Sequence, residues 1–203
     1  MTSIKDIYDL ACNFRESLWK QARSLGREPK VYLHWTAMPY DRTFSDYHIN
    51  IKGDGEIVVT GDLDEIKAHT WKRNTGAVGV SLCCAYNATT NNLGDYPPTE
   101  KQIEVMAQVI AALCEGLWLT IDKYHVLTHA EAADNIDDLN VHEDYGPLSE
   151  FDKWDLMYLG TPESPSLVLD YDDPRQGGNV LRGKANFYKN LWKESKEHDV
   201  FWA

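Results

Sequence analysis

A run of mostly apolar residues at positions 77–85 (AVGVSLCCA) places the strongest constraint on the fold of this chain. Its small and β-branched side chains are typical of a strand that is buried on both faces. Such a strand needs other strands beside it and helices that cover the sheet. We therefore predict an α/β fold, in which a central mixed β-sheet is flanked by helices in a single domain.

Three amphipathic segments can supply the helices. Residues 3–25 carry apolar side chains at steps of three and four, and Ser3 can cap the first turn. Residues 99–119 show the same spacing and begin with a T-x-x-Q capping box at Thr99. A third, shorter helix is predicted near residues 185–196, where it packs back on the domain.

The strand predicted at residues 31–35 (VYLHW) carries a histidine, His34, near its carboxyl end. Alternation places Val31 and Leu33 on one face of this strand and Tyr32 and His34 on the other. A lone histidine beside a tryptophan is usually structural. A catalytic role for His34 therefore depends on partners elsewhere in the chain.

Further strands are predicted on both sides of the apolar run. Residues 46–51 and 56–60 form a hairpin around the glycine-rich turn between them. Residues 124–129 (YHVLTH) form a short strand whose two histidines share a face. They lie about 13 Å apart at ~3.3 Å per residue, too far for one metal ion to bind both unless the strand bends. Of the two, His129 at the strand end is the better ligand candidate, and His125 is assigned a structural role.

Composition excludes several partners. The net charge of −12 in 203 residues argues against nucleic-acid binding and against simple electrostatic adhesion to anionic membranes or anionic cell walls. No apolar run approaches the roughly 20 residues of a membrane span. The N-terminus lacks a basic start followed by an apolar stretch, and the four cysteines form no regular pattern. We expect synthesis in the cytoplasm, with no signal peptide.

A histidine–carboxylate set in this chain suits catalytic zinc. Such sites use three protein ligands, commonly imidazole nitrogen and carboxylate oxygen, and leave a fourth position open. His34, His129 and Asp155 provide these atoms. However, they are far apart in the sequence and no HExxH helix is present, so spacing alone does not establish a site.

Five blocks, in order over residues 30–160, resemble the zinc-dependent N-acetylmuramoyl-L-alanine amidases, a fold shared by phage lysozyme-type amidases and peptidoglycan recognition proteins. Each block is degenerate, but the ordered set is specific. The blocks are YLHWTA (32–37), DYHINIKGDGEIV (46–58), KAHTWKRNTGAVGVSL (67–82), VLTHAEAAD (126–134) and FDKWDL (151–156).

The resemblance implies a role for each matched residue. His34, His129 and Asp155 are expected to bind Zn²⁺. Tyr47 and Lys153 are expected to be catalytic and to stabilise the developing oxyanion. Three further side chains are expected to line the substrate cleft: His69, Trp35 and Trp71.

The sequence also departs from parts of the family pattern. Ser81 stands where some bacterial members carry a catalytic glutamate, which makes Tyr47 the expected partner of the attacking water. Many phage members have cysteine as the third ligand, where this chain has Asp155. The long gap after His129 leaves three alternative third ligands open: Asp134, Asp138 and His142.

The implied activity is hydrolysis of the amide bond between N-acetylmuramic acid and L-alanine in peptidoglycan, with a phage endolysin as one possible setting. The alternatives are a recognition module that binds muropeptide without cleaving it, and a zinc peptidase that cuts the stem peptide. We expect residues 30–160 to form the amidase domain. Residues 1–29 then form an N-terminal helix, and residues 161–203 an extension, that pack on it.

Overall fold

A five-stranded sheet organises the computed structural model, which describes residues 1–139 and 154–194. The strand order is β3-β2-β4-β1-β5; β2 and β3 are antiparallel and the other neighbours are parallel. The predicted mixed sheet is confirmed, with residues 77–82 as its central strand. The elements in chain order are α1 Ile4–Ser24, β1 Lys30–Trp35, β2 Ile49–Ile51, β3 Ile57–Val59, β4 Ala77–Leu82, α2 Glu100–Leu117, β5 Val126–Thr128, α3 His129–Ala133 and α4 Gly177–Glu194.

The two faces of the sheet have different partners. Val31 and Leu33 lie in the main core with the buried faces of α1, α2 and α4. Tyr32 belongs to a second, smaller cluster that includes Ala132 of α3. Because strand side chains alternate, His34 projects to the same side as Tyr32, away from the three long helices.

Local capping explains where the long helices begin. Ser3 caps α1, and its hydroxyl accepts a hydrogen bond from the Asp6 amide. Thr99 caps α2 and closes the predicted capping box with Gln102. Both boxes satisfy amide groups that would otherwise lack a partner in the first helical turn.

Several predicted boundaries are wrong. The strand predicted at residues 124–129 runs only from Val126 to Thr128, and His129 is the first residue of α3. Thr128 and Glu131 form a capping box that favours a helix over further strand. The C-terminal helix begins at Gly177, eight residues earlier than predicted, although glycine lowers helix propensity.

Strand β2 is also shorter than predicted and begins at Ile49. The side chain of His48 takes over part of the ladder: its Nδ1 accepts the Gly79 amide proton at 2.9 Å. Its Nε2 then donates to the Glu65 carbonyl oxygen, also at 2.9 Å. This buried imidazole is therefore neutral, with its proton on Nε2.

His48 gives a testable pH dependence of stability. Burial lowers its pKa to about 4, from 6.5 in the unfolded chain. Between these values the unfolded state binds more protons, so stability should fall by up to about 3 kcal/mol as the pH drops from 6.5 to 4. His48→Asn keeps an acceptor for Gly79 but cannot titrate. Urea unfolding at both pH values should show a smaller pH-dependent loss in this variant, and equal losses in both proteins would contradict the assignment.

In the described part of the chain, no helix combines the length and the apolar character that crossing a membrane requires.

Candidate metal centre

Strand register brings two distant histidines together. β1 and β5 are adjacent and parallel, and Leu33 pairs with Thr128. The residue that follows each member of this pair is a histidine, so His34 and His129 lie side by side at the carboxyl ends of the two strands. Their Nδ1 atoms are 3.1 Å apart, and both residues are buried. Two residues that are 95 positions apart in the sequence are therefore in direct contact.

Asp155 completes a triangle of ligand atoms. Its Oδ2 lies 3.6 Å from Nδ1 of His34 and 3.6 Å from Nδ1 of His129. Ligand atoms at the corners of a zinc tetrahedron lie roughly 3.3–3.6 Å apart, because Zn–N and Zn–O bonds are about 2.0–2.2 Å long. The spacing and the donor types therefore fit one zinc ion.

The carboxylate is held ionised. Burial raises the pKa of Asp155, but the neighbouring His129 and His34 outweigh burial and bring the pKa to about 2. The main-chain amide of Trp35 is 3.4 Å from the same Oδ2 atom and orients it. An ionised oxygen beside two imidazole nitrogens is a suitable donor set for a divalent cation.

The alternative ligands are placed differently. Asp134 is exposed, and its carboxylate accepts a hydrogen bond of 2.8 Å from the Tyr171 hydroxyl. Asp138 is exposed as well. His142 lies outside the described residues. Within residues 1–139 and 154–194, the only histidine, cysteine and acidic side chains that converge on a possible metal position are His34, His129 and Asp155.

Thr70, which no sequence motif marks as a site residue, contacts the ring nitrogen of His34 that lies away from the ligand triangle. Its Oγ1 lies 3.3 Å from His34 Nε2 and 2.8 Å from His69 Nδ1. His69 is 6% exposed, and burial and the neighbouring His34 hold its pKa well below the ordinary value. It thus packs as a neutral ring behind His34. Gly79 makes this possible, because a Cβ there would lie 2.7 Å from the His69 ring.

A buried ion pair anchors the loop that carries Thr70. The Arg73 guanidinium donates to Asp137 at 2.9 Å, and neither side chain is exposed. The Tyr32 hydroxyl donates to the same carboxylate at 2.7 Å. The loop is therefore tied both to β1 and to the segment that follows α3. The AHT motif at residues 68–70 does not by itself indicate a role for Thr70, because the contact of Thr70 with His34 arises only in the folded chain.

Tyr47 lies beside the histidines. Its ring centroid is 5.0 Å from that of His34, and its hydroxyl is 3.5 Å from the Trp35 carbonyl oxygen. Burial and the charge of Asp155 raise the pKa of this phenol above its ordinary value, so the hydroxyl keeps its proton at neutral pH. Lys153, the other expected catalytic residue, lies outside the described residues.

The two tryptophans expected in the cleft are in different environments. Trp35 is 4% exposed, lies in the main core and packs edge-on against Trp154, so the expected cleft contact is not supported by its position. Trp71 is 52% exposed on the loop that carries Thr70, where a ligand can reach it.

Several solved structures are similar to this chain at low identity. The Ph2119 endolysin from the Thermus scotoductus MAT2119 bacteriophage Ph2119 is 17% identical, with a TM-score of 0.41 over 53% of this chain and 75% of that one. Drosophila PGRP-LB is 20% identical, with a TM-score of 0.40 over 53% and 72%. The endolysin amidase LysCS from Clostridium intestinale URNW is 16% identical, with a TM-score of 0.40 over 62% and 80%. No curated protein matches the sequence.

The family assignment comes from the sequence match. The model of the N-acetylmuramoyl-L-alanine amidase family matches residues 26–147, which is more than half of the 203 residues. The match includes His34 and His129 and ends before Asp155. This chain therefore belongs to the N-acetylmuramoyl-L-alanine amidase family.

Proposed function

We propose that this protein is a zinc-dependent amidase that hydrolyses the bond between the lactyl group of N-acetylmuramic acid and L-alanine in peptidoglycan. The observation that carries the proposal is the triangle of ligand atoms from His34, His129 and Asp155, with sides of 3.1, 3.6 and 3.6 Å. Family membership supports the class of bond cleaved.

The three residues would hold zinc through two imidazole nitrogens and one carboxylate oxygen. When bound there, zinc supplies a Lewis acid and lowers the pKa of a water molecule toward about 7. If His34 bound zinc through Nδ1, its ring proton would be on Nε2 and could be donated to Thr70 Oγ1, 3.3 Å away. The Thr70 hydroxyl can then donate to His69 Nδ1. This chain of hydrogen bonds would fix the plane of the His34 ring.

Tyr47 is the proposed donor to the oxygen that becomes negative in the tetrahedral intermediate. A neutral phenol held in this half-buried position can donate a hydrogen bond to that oxygen. Lys153 is proposed to add a positive charge to the same oxygen, because it stands two residues before Asp155 in the FDKWDL block. Asp155 stays ionised throughout and does not take a proton.

Tyr47→Phe tests the proposed donor. The variant should retain its zinc, while kcat falls by roughly 10²–10³, the usual effect of removing one donor to an oxyanion. Tyr188→Phe is a suitable control, because Tyr188 lies on α4 and its hydroxyl contacts Glu104. Steady-state kinetics on a purified muropeptide measures the effect. A Tyr47→Phe variant with unchanged kcat would remove Tyr47 from the mechanism.

Metal analysis combined with mass spectrometry of digested peptidoglycan tests the proposed reaction. Cleavage should release a stem peptide with a free L-alanine amino group and leave intact N-acetylmuramic acid on the glycan. A fragment cut within the stem peptide would indicate a peptidase. Binding of muropeptide without any cleavage would indicate a recognition module. Intact cell walls and soluble muropeptides, tested side by side, would separate a lytic enzyme from one that acts on released fragments.

A further inference from the structure

The C-terminal helix α4 contacts the two segments that carry His129 and Asp155, the proposed ligands that lie outside β1. α4 spans Gly177–Glu194 and lies outside the family match at residues 26–147. Its first two turns pack against α3, which begins with His129, and against the segment that follows Asp155. The family match therefore leaves out an element that touches the surroundings of two of the three proposed ligands.

The contact with α3 is a buried ion pair. Arg182 donates to both carboxylate oxygens of Glu131, at 2.7 and 2.8 Å, and the two residues are 5% and 0% exposed. The same guanidinium also donates to the Val126 carbonyl oxygen at 2.8 Å. Glu131 meanwhile accepts the Thr128 amide proton at 2.9 Å, as part of the capping box that starts α3. One guanidinium thus holds β5 and α3 in a single arrangement.

The contact with the Asp155 segment uses backbone. The Gly177 amide donates to the Met157 carbonyl oxygen at 2.9 Å. A Cβ at Gly177 would lie 1.8 Å from the Leu156 carbonyl oxygen, and a Cβ at Gly178 would lie 2.8 Å from the Glu131 carboxylate. The glycine pair that disfavours a helix start is explained by these close approaches.

We propose that α4 positions the metal centre, with Arg182 setting the place of His129 through Glu131, and Gly177 setting the place of Asp155. The inference rests on the proposed function. α3 is only five residues long, and a helix of that length does not hold its own geometry without tertiary contacts. The bidentate pair of Arg182 and Glu131 provides a strong contact of fixed orientation between α4 and α3. Arg182 touches neither substrate nor metal, so its role is positioning.

Arg182→Met should weaken zinc binding about 10- to 100-fold, the usual effect of losing an interaction that orients a metal ligand. Lys184→Met is the matched control. Lys184 lies two residues further along α4, and its 2.7 Å ion pair with Glu104 of α2 faces away from the centre. Zinc affinity is measured on the full-length apo-protein by competition with a chromophoric chelator, well below the melting temperature of each variant.

The double variant Glu131→Gln/Arg182→Met separates positioning from simple destabilisation. It removes both charges, so no unpaired carboxylate remains buried, and folding should recover if Arg182→Met alone is poorly folded. Because α3 is still unclamped, zinc affinity should stay about 10- to 100-fold below that of the Lys184→Met control.

The outcomes distinguish this inference from the proposed function. A wild-type protein that binds zinc, together with a double variant that binds it equally well, would overturn the inference alone. A wild-type protein that binds no zinc would overturn the proposed function and this inference with it. Weakened affinity in both Arg182 variants, but not in Lys184→Met, is the expected result.

Discussion

Replacing His34 by alanine is expected to remove zinc binding and to reduce amide cleavage by roughly a thousandfold or more, since a bound metal contributes several kcal/mol to such reactions. Alanine takes away one corner of the ligand triangle, and His129 and Asp155 alone leave too few protein ligands for a catalytic zinc site. Metal content of the purified protein and release of stem peptide are the two measurements.

His125→Ala is the matched control for this variant. His125 is also nearly buried, but it contacts Asp122 and Glu28, away from the ligand triangle. It should therefore keep its zinc and its activity. If His34→Ala still cleaved muropeptide after its metal had been removed, the zinc mechanism would be wrong.

The second large effect is expected for Asp155→Asn. The change keeps the shape of the side chain but replaces an ionised oxygen, whose pKa is held at about 2, by a neutral amide. Zinc affinity should fall more than about 100-fold, because an anionic ligand is lost. This loss is larger than the one usually seen when a residue that only orients a ligand is replaced. Chelator competition measures the affinity, and cleavage should fall with it.

Asp134→Asn provides the comparison, because the sequence alone also allows Asp134 as the third ligand. Its exposed carboxylate contacts Tyr171, and we expect the variant to bind zinc as the wild type does. The reverse result, with zinc lost in Asp134→Asn and kept in Asp155→Asn, would assign the third ligand to the segment after α3.

Local sequence signals predicted the parts of the fold that short-range chemistry controls. The capping residues Ser3 and Thr99 marked the starts of α1 and α2, because a side-chain oxygen at the cap satisfies amide groups that no other nearby atom can reach. The capping box at Thr128 is present in the sequence, but the apolar residues before it predict an extended chain through His129. The start of α4 could not be read locally, since Gly177 and Gly178 serve contacts with distant segments.

Sequence pattern alone predicts an α/β sheet with His34 near the carboxyl end of one strand, and the ordered family blocks indicate which histidines and carboxylates to consider as ligands. Which of these side chains come into contact depends on strand pairing and helix packing. The pairing of Leu33 with Thr128 places His34 next to His129, and the segment after Asp155 is set by its contact with Gly177. Register and helix docking depend on burying apolar surface across the whole domain, so no short stretch of sequence encodes them.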